Sequence, residues 1–403
     1  MHLKYSLLTK FIFICCIFFL FAGSRFSDGE MALGIFRSLH AIDLFFPILL
    51  LLCISNWRYI KLSLPATTLT LWWLWLIYVA FFAHLGHFIS GLAFEVQPLL
   101  ISLLFAVKEF EFFVIMAFGT LTASLAPGLV LRILWMSLAA LAIWIPIDMQ
   151  APSGYYLLGL PLEKGAIQVG LVYGIAALLA LHLYQTKPPL KYSNRFLSLF
   201  IIISLIVGML LSQSRTAILG FASAIGLIIV LLPLRTLFAA IIPILIIFFL
   251  AFILLTPDVF WNISSIFFAR WNDVSDHAGY RYEKWLELLN YLVENPILIV
   301  FGAGFDSPNQ LVLGRELGHI LAVDNAFVRR LFEVGVLGSL IYFFLLLSIL
   351  LNLLKLKDTR IGSALLIFFL ASGITAETTQ ISQSAGLYFL LTGVIFGLRI
   401  NKI

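Results

Sequence analysis

Apolar runs about as long as a bilayer is thick recur from one end of this chain to the other, and few folds can accommodate them. In hydrocarbon no water is present to satisfy a bare peptide group, so each run has to close its hydrogen bonds internally as a helix. Of 403 residues 62% are hydrophobic and 11% charged, far more apolar than a water-soluble domain of this length can bury. The expected fold class is therefore all-α, a polytopic integral membrane bundle.

Breaking the runs at polar clusters predicts about twelve spans, centred near Phe18, Pro47, Leu74, Met116, Leu138, Ala176, Leu205, Leu227, Phe248, Phe343, Phe368 and Leu391. The first, Phe11 to Ala22 behind Lys4 and Lys10, imitates a signal peptide, but many more spans follow and it is expected to be retained. The stretch from His84 to Val107, interrupted by Glu95, Gln97 and Pro98, is expected as an outer loop with an interfacial or re-entrant helix. On that count Arg58 and Lys61, Arg132, Lys187, Lys191 and Arg195, Arg235, and Lys355, Lys357 and Arg360 all fall in cytoplasmic loops, as the positive-inside rule asks. The excess of five positive charges is thus a matter of topology, and no nucleic-acid partner is drawn from it.

Three parts follow: residues 1–255 with about nine spans, a long outer loop over 256–324, and residues 325–403 with about three spans. In the loop, Trp285, Leu288, Leu289 and Leu292 recur at helical spacing, Asn295-Pro296 stops that helix, and Gly302-Ala303-Gly304 makes a turn. Cys15, Cys16 and Cys53 sit inside apolar runs without metal-ligand spacing and read as small hydrophobes.

Several polar residues stand where chemistry has to be considered. Arg215, in a polar break between two apolar runs, is either a guanidinium aimed at a phosphate or an arginine snorkelling to the headgroups. Arg281, four residues before Trp285, stands at the end of the apolar face of the loop helix; its alternatives are a ligand role and an ion pair with a carboxylate such as Asp276. Asp324 is placed to cap the helix that follows and equally to act as a general base, a task His319 could also perform at neutral pH. Arg329, Arg330 and Asn325 are secondary candidates, with Arg329 and Glu333 spaced for an ion pair. His84, His87 and Glu377 are weaker ones. No nucleotide-binding loop, His-Glu-x-x-His or Cys-x-x-Cys is present, so no cofactor is expected, and with no soluble cytoplasmic domain for a nucleotide-sugar, any sugar handled here should arrive on a lipid.

Leu211-Ser-Gln-Ser-Arg-Thr-Ala217, Arg281-Tyr-Glu-Lys-Trp285 with Asn295-Pro296 and Gly302-Ala-Gly-Phe305, and Asp324-Asn325 through Phe332-Glu-Val-Gly335-Val-Leu-Gly338 together resemble the O-antigen polymerase and O-antigen ligase superfamily of bacterial surface-polysaccharide enzymes. The resemblance implies a multi-pass protein of the bacterial inner membrane with its site facing the periplasm, transferring a saccharide from undecaprenyl diphosphate without nucleotide or metal. It implies that Arg215 and Arg281 hold the diphosphate and that the acceptor hydroxyl needs a base. Implied partners are the lipid-linked glycan, a saccharide or lipid A-core acceptor, membrane lipid and other polysaccharide-assembly proteins. Ligases of the family usually carry His-Asn where this chain has Asp324-Asn325, which leans towards a polymerase; a ligase using His319 and a protein O-oligosaccharyltransferase stay open. From another class, a lipid-linked-oligosaccharide flippase or a twelve-span facilitator competes, though no internal symmetry supports it, and a membrane scaffold leaves Arg215 and Arg281 unexplained.

Overall fold

The computed structural model describes residues 7–22, 41–85, 96–149, 166–186, 193–231 apart from 213, 274–305 with 307, 325–355, 362–375 and 382–400. Among these, every regular element is helical. In chain order they are α1 (Leu7–Ala22), a short 3-10 turn (Ala41–Phe45) leading into α2 (Phe46–Ser55), α3 (Trp57–Ser63), α4 (Ala66–Phe81), α5 (Val96–Leu125), α6 (Pro127–Met149) and α7 (Ala166–Thr186). Then follow α8 (Ser193–Leu211), α9 (Arg215–Leu231), α10 (Val274–Glu294), α11 (Pro296–Phe301), α12 (Ala326–Leu354), α13 (Gly362–Gly373) and α14 (Ser382–Ile400).

Among the described residues, three stretches are long and apolar enough to cross a membrane, Pro127–Ile147, Ile167–Gln185 and Ala326–Leu354. A fourth arises if Asp43–Ser55 and Trp57–Ser63, bent at 80° to each other, form one broken span. The protein is thus an integral membrane helical protein, but the expected twelve spans are not reached among the described residues. Several further helices at the expected centres are apolar but short, including Thr9–Phe21 and Arg215–Leu231. The centre at Phe248 lies outside the described residues.

One expectation is corrected. From Val96 onward the stretch foreseen as a loop with a separate interfacial helix is the first part of α5, a continuous helix of 30 residues. Pro98 falls in its first turn, where a missing backbone N–H costs no helical bond. At 1.5 Å per residue the helix is about 45 Å long, more than the hydrocarbon core requires.

Helix order in space follows from close approaches. A Cβ on Gly393 would stand 2.0 Å from the Met116 carbonyl oxygen, and one on Gly397 2.3 Å from that of Thr120, so α14 runs parallel to α5 with the backbones in near contact. Helices α4 and α12 are antiparallel: Tyr78 bonds Val334 at one end, and Thr68 lies 2.9 Å from Ser348 at the other. Likewise α9 runs antiparallel to α13, with Thr375 Oγ1 3.0 Å from Thr216 Oγ1 and Gly220 packed on Phe368. Cys16 and Cys53 are buried and, like Cys15, free thiols.

Just beyond α4, His84 is buried with Nδ1 2.8 Å from Ser102 Oγ on α5, and burial lowers its pKa below the ordinary 6.5. A proton therefore binds the unfolded chain more tightly, and the stability His84 contributes is complete above about pH 6.5 and lost as the pH falls below it. Thermal unfolding in detergent should show a decline below that pH that is shallower in His84→Gln.

Candidate functional site

The site is built around a break in α12. Asn325 caps this helix, its Oδ1 accepting from the amides of Phe327 and Val328 at 2.9 and 3.1 Å. The cap is thus Asn325 rather than the expected Asp324. Ten residues on, Gly335 has φ 66° and ψ −174°, a conformation reserved for glycine, and the helix kinks there. The break frees the carbonyls of Phe332, Glu333 and Val334, which bury only if something else bonds them. Ala303 N donates to Phe332 O at 2.8 Å, Gly304 N to Glu333 O at 2.9 Å, and Tyr78 Oη to Val334 O at 2.6 Å. The Gly302-Ala-Gly-Phe305 and Gly335-Val-Leu-Gly338 motifs therefore serve one another: Gly302, at φ 80°, meets Gly335 so closely that a Cβ on either would stand 2.5 Å from the other's nitrogen.

Against this corner sit α10 and α11. Leu288, Leu292 and Leu298 pack on Phe332 and Ala303, with Trp285 and Tyr291 at the edge, so the helix foreseen from the spacing of Trp285, Leu288, Leu289 and Leu292 exists and turns that face to α12. Its polar side is exposed at Glu283 and Asn290.

Arg330, on the short segment before the break, is buried in a ring of aromatic faces. Its guanidinium carbon lies 4.8 Å from the Tyr342 ring centre, 5.4 Å from Trp75 and 5.7 Å from Phe305. Glu109 on α5 balances the charge, with Oε1 2.7 Å from Arg330 Nη2 and Oε2 accepting from Trp75 Nε1 at 3.0 Å. Arg329, one residue before, pairs with Glu333 at 2.8 Å, as the spacing predicts. On a different face of α5 Lys108 bridges Asp43 and, at 3.2 Å, Glu111. None of Asp43, Lys108, Glu109 and Glu111 was singled out in the sequence. The available signal was Lys-Glu-Phe-Glu inside an apolar run, since ionisable groups at membrane depth need partners.

Between α12 and α13 lies a cavity of about 350 Å³, walled by Phe327, Leu331, Leu340 and Phe343 on one side and Phe369 and Leu370 on the other. Phe327 and Phe343 are about half exposed on the outer surface of α12, so the cavity is an apolar groove flanked by lipid-facing side chains. Gly373 closes its α13 wall at the end where α12 begins. At that same end of α13, Thr375 and Ser372 bond Thr216 at the start of α9. Arg215, the first residue of α9, is half-buried there and has no ion-pair partner among the described residues. A cation at the positive end of a helix dipole is unfavourable unless an anion joins it.

Of the expected site residues, the structure thus brings Asn325, Arg329 and Arg330 onto one short helical segment, with Arg215 at the near end of a neighbouring helix pair. Arg281 lies on α10, and its side chain is outside the description; Asp324 and His319 are outside the described residues. Arg329 and Arg330 are internal ion-pair partners.

Residues 199–343 match the family model described as O-antigen ligase, 145 of the 403 residues. The matched segment runs from α8 into α12 and contains every residue proposed above from sequence as catalytic or diphosphate-binding. Over this segment the resemblance to the O-antigen polymerase and ligase superfamily is borne out. No curated protein matches the chain closely enough to count as a relative.

Proposed function

We propose that this protein is a membrane glycosyltransferase that passes a saccharide from undecaprenyl diphosphate to a saccharide acceptor at the periplasmic face of the bacterial inner membrane, extending a surface polysaccharide. The observation that carries the reading is the pairing of a lipid-flanked apolar groove with an arginine lacking an ion-pair partner among the described residues, at the same end of the bundle. A lipid-linked donor has this make-up, a hydrocarbon chain joined to a diphosphate.

In the proposed reaction the polyprenyl chain lies along the α12–α13 groove and Arg215, with Arg281, holds the diphosphate by charge-assisted forked bonds. An acceptor hydroxyl attacks the anomeric carbon while its proton passes to the carboxylate of Asp324 or the imidazole of His319. The bond from that carbon to the diphosphate oxygen breaks, and undecaprenyl diphosphate leaves with the electron pair, its growing charge met by the arginines. Asp324-Asn325 in place of His-Asn favours joining of two lipid-linked units, hence a polymerase; the description of the matched family favours the ligase as the second reading.

Purified protein in detergent, given a synthetic undecaprenyl-diphosphate oligosaccharide, should release undecaprenyl diphosphate and form a doubled glycan still on lipid. Release only when lipid A-core is added would favour the ligase. No release with either acceptor would sink glycosyl transfer.

A further inference from the structure

Glu109 lies on α5, outside the matched segment 199–343, yet it completes the surroundings of Arg330. Because Gly335 interrupts α12, the nine residues from Ala326 to Val334 are not aligned by the rest of that helix. Their placement depends on lateral ties. They include the backbone bonds to Ala303 and Gly304, the Tyr78 hydroxyl on Val334, the packing of Phe332 against Leu288, Leu292 and Leu298, and Arg330. Both oxygens of Glu109 are engaged, one 2.7 Å from Arg330 and the other 3.0 Å from the Trp75 indole, so the carboxylate is itself locked between α4 and α12. This cation is 4% exposed, paired with one carboxylate and faced by three rings. It stands five residues beyond Asn325, little more than a helical turn from the start of α12.

We propose that Glu109 is a positioning residue for the transfer site: by pinning Arg330 it sets the rotation and height of the short first segment of α12, and with them the Asn325 cap at its head, the residue that follows Asp324 in sequence. This rests on the functional reading above. Glu109 touches no substrate; its contribution is to orientation, where a misplacement of about 1 Å costs up to about a hundredfold in rate.

The test compares Glu109→Asp, Glu109→Gln and the double variant Glu109→Gln/Arg330→Gln in the purified transfer assay and by thermal unfolding. Glu109→Asp keeps the charge pair but withdraws the carboxylate by one methylene; it should fold and lose about tenfold or more in kcat with the donor KM nearly unchanged. Glu109→Gln should lose stability, because it strands a buried cation, and the double variant should recover that stability without recovering kcat. Recovery of both, or wild-type kcat in the single variants, would reduce the pair to scaffold and overturn the proposal. A spin-label pair at Phe327 and Leu219, both exposed, adds a readout independent of turnover. The distance distribution should broaden or shift in Glu109→Asp, and an unchanged distribution would refute the pin. Wild-type protein that transfers nothing would instead remove the functional reading, with the label distances still deciding the pin.

Discussion

Gly335→Ala is expected to destabilise the protein by about 3 kcal/mol or more, one of the largest effects of any single methyl addition in the chain. At φ 66° and ψ −174° an L residue is strained, and the added Cβ would stand 2.4 Å from the Val300 carbonyl oxygen and 2.5 Å from Gly302 N. Nothing there can swing aside, because both neighbours are backbone. Gly302→Ala should do the same, meeting the Glu333 carbonyl oxygen at 2.3 Å. The two substitutions injure one contact, so the double variant should cost less than their sum. Thermal unfolding in detergent measures all three. A Gly335→Ala protein with an unchanged midpoint would mean that the crossing of these two segments is not as described.

The second large effect concerns Arg215. Arg215→Lys retains the charge but not the planar fork, and glycosyl transfer should fall about a hundredfold while insertion and thermal stability stay near wild type. The separation of activity from stability is what distinguishes this position from Arg330, whose charge is internal to the bundle and whose loss unbalances Glu109. The checking measurement is the initial rate of undecaprenyl diphosphate release at saturating donor. Full activity in the lysine variant would remove Arg215 from the mechanism and restore its reading as an arginine anchored at the headgroups.

Periodicity and apolar length made the helical class legible, because a bilayer leaves the backbone so few alternatives. The pairing of Arg329 with Glu333 was legible for a similar reason, since residues four apart on a helix share a face. The meeting of Gly302 with Gly335 was not. Each glycine stood in a recognisable motif, but their contact joins backbones 33 positions apart and has no local signature. Nor did local spacing separate Asp324 from Asn325 as the cap, as both side chains can accept from the first amides of a helix. The continuity of α5 is hidden in the sequence because Pro98 resembles an interruption, whereas a proline in a first turn is compatible with the helix it begins. The role of Glu109 has no local signature either, since Lys108 and Glu111 beside it are equally ionisable. Its partner Arg330 lies 221 residues away, and no spacing rule connects them.

The groove and Arg215 illustrate the same division. Arg215 is conspicuous in sequence because it interrupts apolar residues, but the groove is assembled from Phe327, Leu340 and Phe343 on one helix and Phe369 and Leu370 on another, none of them unusual alone. Their alignment with Arg215 is relayed by the Thr216–Thr375 contact between α9 and α13.

The central claim, transfer of a lipid-linked saccharide onto a growing glycan, is tested most directly in a strain lacking this protein, by resolving its surface polysaccharide on a gel beside its undecaprenyl-linked glycan. The account predicts that long chains vanish from both pools while lipid A-core bearing a single repeat unit remains. Long chains persisting on undecaprenyl diphosphate without reaching core would make the protein a ligase, and an unchanged pattern in both pools would contradict glycosyl transfer altogether.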